Sequence, residues 1–378
     1  MWNKLCFLLL IFWAFPGLLK AQSIQQFTSS YKTGSEIGAK QLNFRFESLG
    51  FFRNNEYLGN MVHGSTLPGA YLRPMLSYSP VEGLYLEAGA HFVKYSGKDQ
   101  LENAVPWFSA RYCLTKNWAV IVGNLDQNNE HGLTEHLWEP ERIFTDRPES
   151  GLQFLYSAEK LKAQTWVSWE QFIQKNDPFQ EHFTMGITGE YQLLKTSGVS
   201  LQIPFQTLFY HQGGEINSAA NGVRPRVQTH ANIGTGLEMS FKLGERVKAL
   251  NLNGYWYGYK AVTSDSNVLP FGKGHAWFLE AGLQTKNSLI SVGHWDAFQF
   301  IAPKGRQIYQ SISEVDPSFN SANRSLISAR YYWQKNITPD ARVAFHVEAY
   351  LVDAPMGALS YSYGFYLLLN ADFLLKKF

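Results

Sequence analysis

Several stretches of this chain alternate apolar and polar residues over ten or more positions, and that pattern leaves few folds open. "RVAFHVEAYLV" (342–352) sets Val343, Phe345, Val347, Ala349 and Leu351 against Arg342, His346, Glu348 and Tyr350. "LYLEAGAHFVKY" (84–95) and "VQTHANIGTGLEMSF" (227–241) divide the same way. Side chains on a strand point to opposite faces with period two, so each stretch reads as a strand with one greasy and one wet side. These strands run to about 10–15 residues, where globular strands average five or six. A tilted strand of about 9–11 residues spans a bilayer. The i, i+3, i+4 spacing of an amphipathic helix is missing from them.

The N-terminus points to export. "MWNKLCFLLLIFWAFPGLLKAQS" carries Lys4, an apolar run broken by Pro16, then Ala21, which predicts a signal peptide over residues 1–21. Cys6 lies inside it without a lipobox. Cleavage removes Lys4 and Lys20 and no acid, so 33 Lys+Arg fall to 31, against 31 Asp+Glu. A near-neutral mature chain gives no electrostatic reason to expect a nucleic-acid partner. Cys113 is the one cysteine left, so no intrachain disulfide is expected. Aromatics make up 15% of the chain, yet mean hydropathy is −0.22. No run of about 18 apolar residues follows the leader to form a spanning helix.

Short turns at 79–83, 115–117, 160–162, 195–198, 242–249, 286–288 and 335–340 alternate with longer polar loops. The loops fall near 53–66, 96–104, 126–149, 212–226, 260–274 and 298–322. Short turns at one end and long loops at the other suit an outer-membrane barrel. A greasy-faced sheet in lipid must also close on itself, because an open edge leaves N–H and C=O groups unpaired. The expectation is an all-β, antiparallel up-and-down transmembrane barrel of about 16 strands (14–16) over residues 41–378. Residues 22–40 would form a periplasmic N-terminal segment or short plug. The last strand, "YGFYLLLNADFLLKKF" (363–378), would pair with the first near 42–51. Arginine is expected to be costly at lipid-facing Ala231 or Val347 and tolerated at Asn232.

That last strand resembles the closing strand of Gram-negative outer-membrane β-barrels, which ends in an aromatic residue used in assembly. Phe378 takes that place, while Asp372 and Lys376 depart from the usual apolar pattern. The "AQS" region, "HGLTEHLWEPERIFTDRPE" and "HQGGEIN" resemble Bacteroidetes barrels of this class. The resemblance implies the cell outer membrane as location, contact with outer-membrane lipid, and the barrel-assembly machinery as a partner during biogenesis. It implies no activity.

The wet phase carries the charges. Arg45, Glu47, Arg73, Glu87, His91, Arg111, Glu170, Glu190, His230, Glu238, Glu280, Arg330, Arg342, His346 and Glu348 would face inward. They can brace the wall by pairing across strands, or line a pore and orient a polar solute. Seven Glu against five Arg would give such a pore a mild cation preference. Tyr255, Tyr257 and Tyr259 form an inward aromatic row, which packs as wall or guides sugars. Ser109, His91 and Glu87 are a weak nucleophile, base and orienter set on neighbouring strands.

The densest polar stretch is 126–150. His131, Glu135 and His136 have H-x-x-x-E-H spacing, which matches no zinc motif, so no metal or other cofactor is expected. The loop either projects outward, its acids paired with Arg142 and Arg147, or turns inward and constricts the pore, those arginines contacting anions. Together these features predict a monomeric or loosely associated porin-like channel for passive passage of small polar solutes, without enzymatic activity. A structural or partner-binding barrel with a blocked lumen is the alternative, and an outer-membrane hydrolase the third reading.

Overall fold

The computed structural model describes residues 37–126, 131–174, 177–213, 226–263, 269–352 and 359–378. The expected signal peptide and residues 22–36 of the N-terminal segment lie outside the described residues. The alternating stretches form β1 (Gln41–Glu56), β2 (Ser65–Ser79), β3 (Leu84–Tyr95), β4 (Asn103–Cys113), β5 (Trp118–Asn124), β6 (Ser150–Ser157), β7 (Leu161–Gln171) and β8 (Glu181–Lys195). They continue with β9 (Val199–Gly213), β10 (Gln228–Lys242), β11 (Val247–Ala261), β12 (Lys273–Thr285), β13 (Ser288–Phe298), β14 (Asn323–Thr338), β15 (Ala341–Val352) and β16 (Leu359–Lys377). Each pairs antiparallel with its sequence neighbours, and β1 pairs with β16, closing a barrel of 16 strands. No helix among the described residues is long and apolar enough to cross a membrane. The spanning elements are the strands.

Burial alternates as the barrel requires. Leu72, Leu76, Leu279, Ile290, Val292, Ile327, Leu351 and Phe365 are exposed on the outer wall, while Arg45, Glu47, Ser77, Gln284, Ser328 and Glu348 are buried on the inner one. Val347, in mid-strand, faces out. Val347→Arg is therefore expected to cost about 2–4 kcal/mol if it sits at the bilayer midplane, read as a lower urea midpoint in vesicles. Asn232 does not behave as the sequence suggested. It points inward, but its Nδ2 donates to the Ile301 carbonyl at 2.8 Å, so it is packed rather than bathed in water and will not tolerate arginine.

The seam explains the irregular end of the chain. Phe44 pairs with Phe373 and Asn43 with Leu374, but Leu42 pairs with Lys376. Leu375 is bulged out, and a bulge reverses which residues face out. Before it Asp372 points inward, where Asn43 Nδ2 donates to it at 2.6 Å and Arg45 lies 3.8 Å away. Beyond it Phe378 lies on the outer wall, edge-on to Tyr78 at 5.7 Å.

Candidate functional site

The bore is crossed by its own loops. β5 and β6 stop short at Gly123–Asn124 and Ser150. Gly123 takes φ +96°, a left-handed conformation open to glycine, and the Asn124 side chain accepts the Phe108 N–H at 2.8 Å. The chain then turns into the barrel. Thr134 N–H donates to Gln206 at 2.9 Å on β9, Tyr257 OH donates to Thr134 Oγ1 at 3.0 Å from β11, and Tyr95 OH on β3 donates to the Phe144 carbonyl at 2.6 Å. Phe144, in the short helix α1 (Arg142–Thr145), stacks on Phe51 of β1 at 4.5 Å. One loop thus touches the wall on opposite sides.

The 299–322 loop locks onto it. Glu139 N–H donates to the Lys304 carbonyl and Arg306 N–H to the Glu135 carbonyl, at 2.7 and 2.8 Å. A Cβ at Gly305 would collide with the His136 carbonyl oxygen, so this approach needs glycine. Leu133, Leu137, Trp138, Phe300, Ile301, Ile308 and Tyr309 are buried against the wall residues Trp166, Tyr257, Phe278, Trp295 and Tyr350. A charged core holds the two loops to β1 and β15. Arg306 bonds Glu135 at 2.7 Å and Glu348 at 2.6 Å, Arg53 bonds Glu348 at 3.1 Å and Glu141 at 2.5 Å, and Arg330 pairs with Glu135.

The inward residues expected from the sequence fall into three groups. Arg45 with Glu87 and Arg73 with Glu47 are buried pairs at 2.6 and 3.1 Å that brace β1–β3. Arg330, His346, Glu348, Glu170 and Glu280 meet the inward loops or their anchors: Glu170 pairs with Lys304, and Arg330 lies 3.8 Å from Glu280. The rest are held locally. Arg111 binds Asp126 at 2.9 Å, Tyr255 OH donates to Glu238, His230 faces Tyr259 OH at 3.1 Å, and Arg342 donates to Asn336 at 2.9 Å. Glu190 is half-buried on β8.

The loop residues separate as well. Arg142 pairs with Asp146 and lies over Trp138, and Arg147 is exposed. His131 binds Glu149 at 2.7 Å, whereas His136 stacks on Trp295 at 4.6 Å and Glu135 serves the arginines. Three directions do not make a metal site, and among the described residues no group of three such side chains could hold one. Ser109 donates to the Asn124 carbonyl at 2.8 Å and Glu87 is engaged by Arg45, so the Ser109, His91, Glu87 set does not assemble.

The ionisable groups of the 131–146 loop set a pH window. Burial and neighbouring Glu141 push the Glu139 carboxyl up to about 8. Burial lowers His136 to about 3, and Arg330 and Arg306 overcome burial to hold Glu135 at about 2. Above pH 6.5 the folded loop retains a proton on Glu139 that the unfolded loop lacks, so stability falls as pH rises towards 8. Below about 4.5 the unfolded loop takes up protons on His136 and Glu135 that the folded loop refuses, so stability falls again. Between these limits the Glu139 and His136 contributions cancel. Hydrogen exchange of the 131–146 amides should therefore be slowest, at matched intrinsic rate, near pH 4.5–6.5; Glu139→Gln removes the alkaline fall and leaves the His136 slope uncancelled, so the slowest exchange should move to pH 6.5 and above.

A different constellation lies on the outside. β13 presents His294 and Asp296 to the lipid side, in phase with Ile290 and Val292. His294 pairs with Leu279 on β12 and Ile327 on β14, both exposed apolar residues, so an ionisable ring sits in a greasy belt. Ser325 stands directly opposite Asp296, and its Oγ lies 3.3 Å from His294 Nε2. The site is two to four residues below the long-loop end of these strands. An ionisable ring among apolar residues on a lipid-facing wall is a candidate functional site.

Two other His–hydroxyl pairs fit less well. His346 Nε2 lies 3.5 Å from Ser362 Oγ, but Arg53 occupies the same nitrogen at 3.1 Å and Ser362 donates to Asn55 at 2.7 Å. Both are buried within the bore. His211 Nδ1 and Thr229 Oγ1 are 2.9 Å apart, but the nearby Glu181 carboxylate accepts from Trp169 Nε1 at 3.0 Å.

A closed antiparallel barrel with a lipid-facing outer wall defines the class as an outer-membrane β-barrel. The fold is similar to that of OpdK, an outer membrane protein of Pseudomonas aeruginosa (8% identity, 89% of this chain and 100% of that one, TM-score 0.54). It is also similar to a loop L8 deletion mutant of OmpT, an outer membrane protein of Vibrio cholerae (10% identity, 88% and 100%, TM-score 0.51). The family model described as lipid A 3'-O-deacylase-type matches residues 30–378, and the chain belongs to that family. No curated protein matches it. The family is one of enzymes, which overturns the expectation of no enzymatic activity. The wet face assembles no such set, and the His294–Ser325 pair lies on the greasy one.

Proposed function

We propose that this barrel hydrolyses a fatty-acyl ester of lipid A in the outer leaflet, with the chemistry on the outer wall. The observation that carries the reading is the His294 Nε2 to Ser325 Oγ approach of 3.3 Å on the lipid-facing surface. Ser325 Oγ attacks the ester carbonyl while His294 takes its proton. His294 then returns the proton to the departing sugar alcohol, leaving an acyl-serine. Water, deprotonated by His294, releases the fatty acid and restores the serine. Asp296, opposite Ser325 and two residues from His294 on the same outer face, adds a carboxylate to the site.

Solute passage through the bore is the less favoured reading, because loops 131–146 and 299–312 pack across it. The test is incubation of refolded protein with lipid A in mixed micelles. Mass spectrometry should find lipid A lighter by one acyl chain, with an equal yield of free fatty acid. Unchanged lipid A in micelles and in vesicles alike would refute the reading.

A further inference from the structure

Above the His294–Ser325 site the outer wall carries an arrangement that sheet energetics disfavours. Lys260, at the end of β11, and Lys273, at the start of β12, are direct cross-strand partners. Both are exposed and both point outward, since Tyr259 and Ala276 on the same strands are buried inward. Like charges directly opposite destabilise a strand pair. Among the described residues no hydrogen bond or ion pair compensates either lysine. Four residues below them, Trp256 and Trp277 face each other on the same outer wall, the depth at which tryptophans mark the headgroup boundary. The row of Trp277 continues through Asp296 to Ser325.

We infer that Lys260 and Lys273 form a subsite for the phosphate-type anionic headgroup of the lipid whose ester meets Ser325. An anion between the two lysines removes their repulsion, and the wall then guides the chain below it past Trp277. Four residues of strand, about 14 Å, separate the lysines' row from the serine's. Ser325 also lies two strands across from Lys273 and three from Lys260, so a headgroup held by the lysines must extend across as well as down to place an ester at Ser325. The inference rests on the lipid hydrolase reading, so its test uses binding rather than turnover.

Native mass spectrometry of the Ser325→Ala protein, released from nanodiscs of phosphatidylcholine with phosphatidic acid, reads which lipid is retained. Phosphatidic acid should be held in preference, and each lysine-to-glutamine change should lower that preference about fivefold. Lys260→Arg/Lys273→Arg should keep it. Loss of the preference on adding inorganic phosphate would assign the site to phosphate itself; its persistence would assign it to the lipid headgroup; both agree with the anionic chemistry. Equal retention by the parent and the Lys260→Gln/Lys273→Gln protein would overturn the inference. Retained preference in a barrel that never deacylates lipid would leave the subsite standing and remove the hydrolase reading alone.

Discussion

Ser325→Ala should lower deacylation by about 10⁴- to 10⁶-fold, and His294→Asn by a similar factor. Residues that act as one nucleophilic unit each lose nearly all of its rate when removed singly. Neither change should disturb the barrel. Both side chains lie on the outer surface, and the strand pairing beneath them is carried by the backbone. Heat-modifiable gel mobility should therefore be unchanged in both. Ser362→Ala is the informative control, because Ser362 also lies near a histidine but is sealed inside the bore. A loss of activity at Ser362 with none at Ser325 would move the chemistry inside.

Arg306→Leu should open the barrel. Arg306 is nearly inaccessible and bridges Glu135 on one inward loop to Glu348 on β15. Removing it leaves both carboxylates buried with reduced compensation, which costs about 3–5 kcal/mol where a buried pair is broken. Arg53 and Arg330 still touch Glu348 and Glu135, so the wall should hold and the loops should yield first. Planar-bilayer recording is expected to show little current through the parent protein and a clear rise for Arg306→Leu. Arg147→Gln, at an exposed loop position, should change neither. Porin-level conductance in the parent protein, unaltered by Arg306→Leu, would mean that the loops do not seal the bore.

How far the sequence could be read differs from element to element. β15 and β3 declare themselves, because Val343–Leu351 and Leu84–Phe92 keep one phase from end to end. The β16 bulge is hidden, since Leu374 and Leu375 are both apolar and either could face lipid. The 126–149 loop carries Leu133, Leu137, Trp138, Ile143 and Phe144, an apolar load that a solvated loop would not keep. That load signals packing, but no periodicity says against which wall.

The outer site was partly visible. In "SLISVGHWDAF" the lipid phase runs Ile290, Val292, then His294 and Asp296, a polar break in a greasy row. Its partner Ser325 could not be assigned from the sequence, because the β13–β14 register is set across a long inward-folded loop. The lysine pair is hidden for the same reason: Lys260 and Lys273 are thirteen positions apart, and only the pairing makes them neighbours.

Covalent labelling reads directly whether the reactive serine faces lipid rather than the bore. Refolded protein in vesicles is treated with a long-chain alkyl fluorophosphonate, which partitions into the membrane and phosphonylates an activated hydroxyl as fluoride departs. Peptide mapping should place the adduct on Ser325, and His294→Asn should abolish it. An adduct on Ser362 or Thr229 instead, or labelling of Ser325 that survives His294→Asn undiminished, would rule out the His294–Ser325 pair as the reactive site.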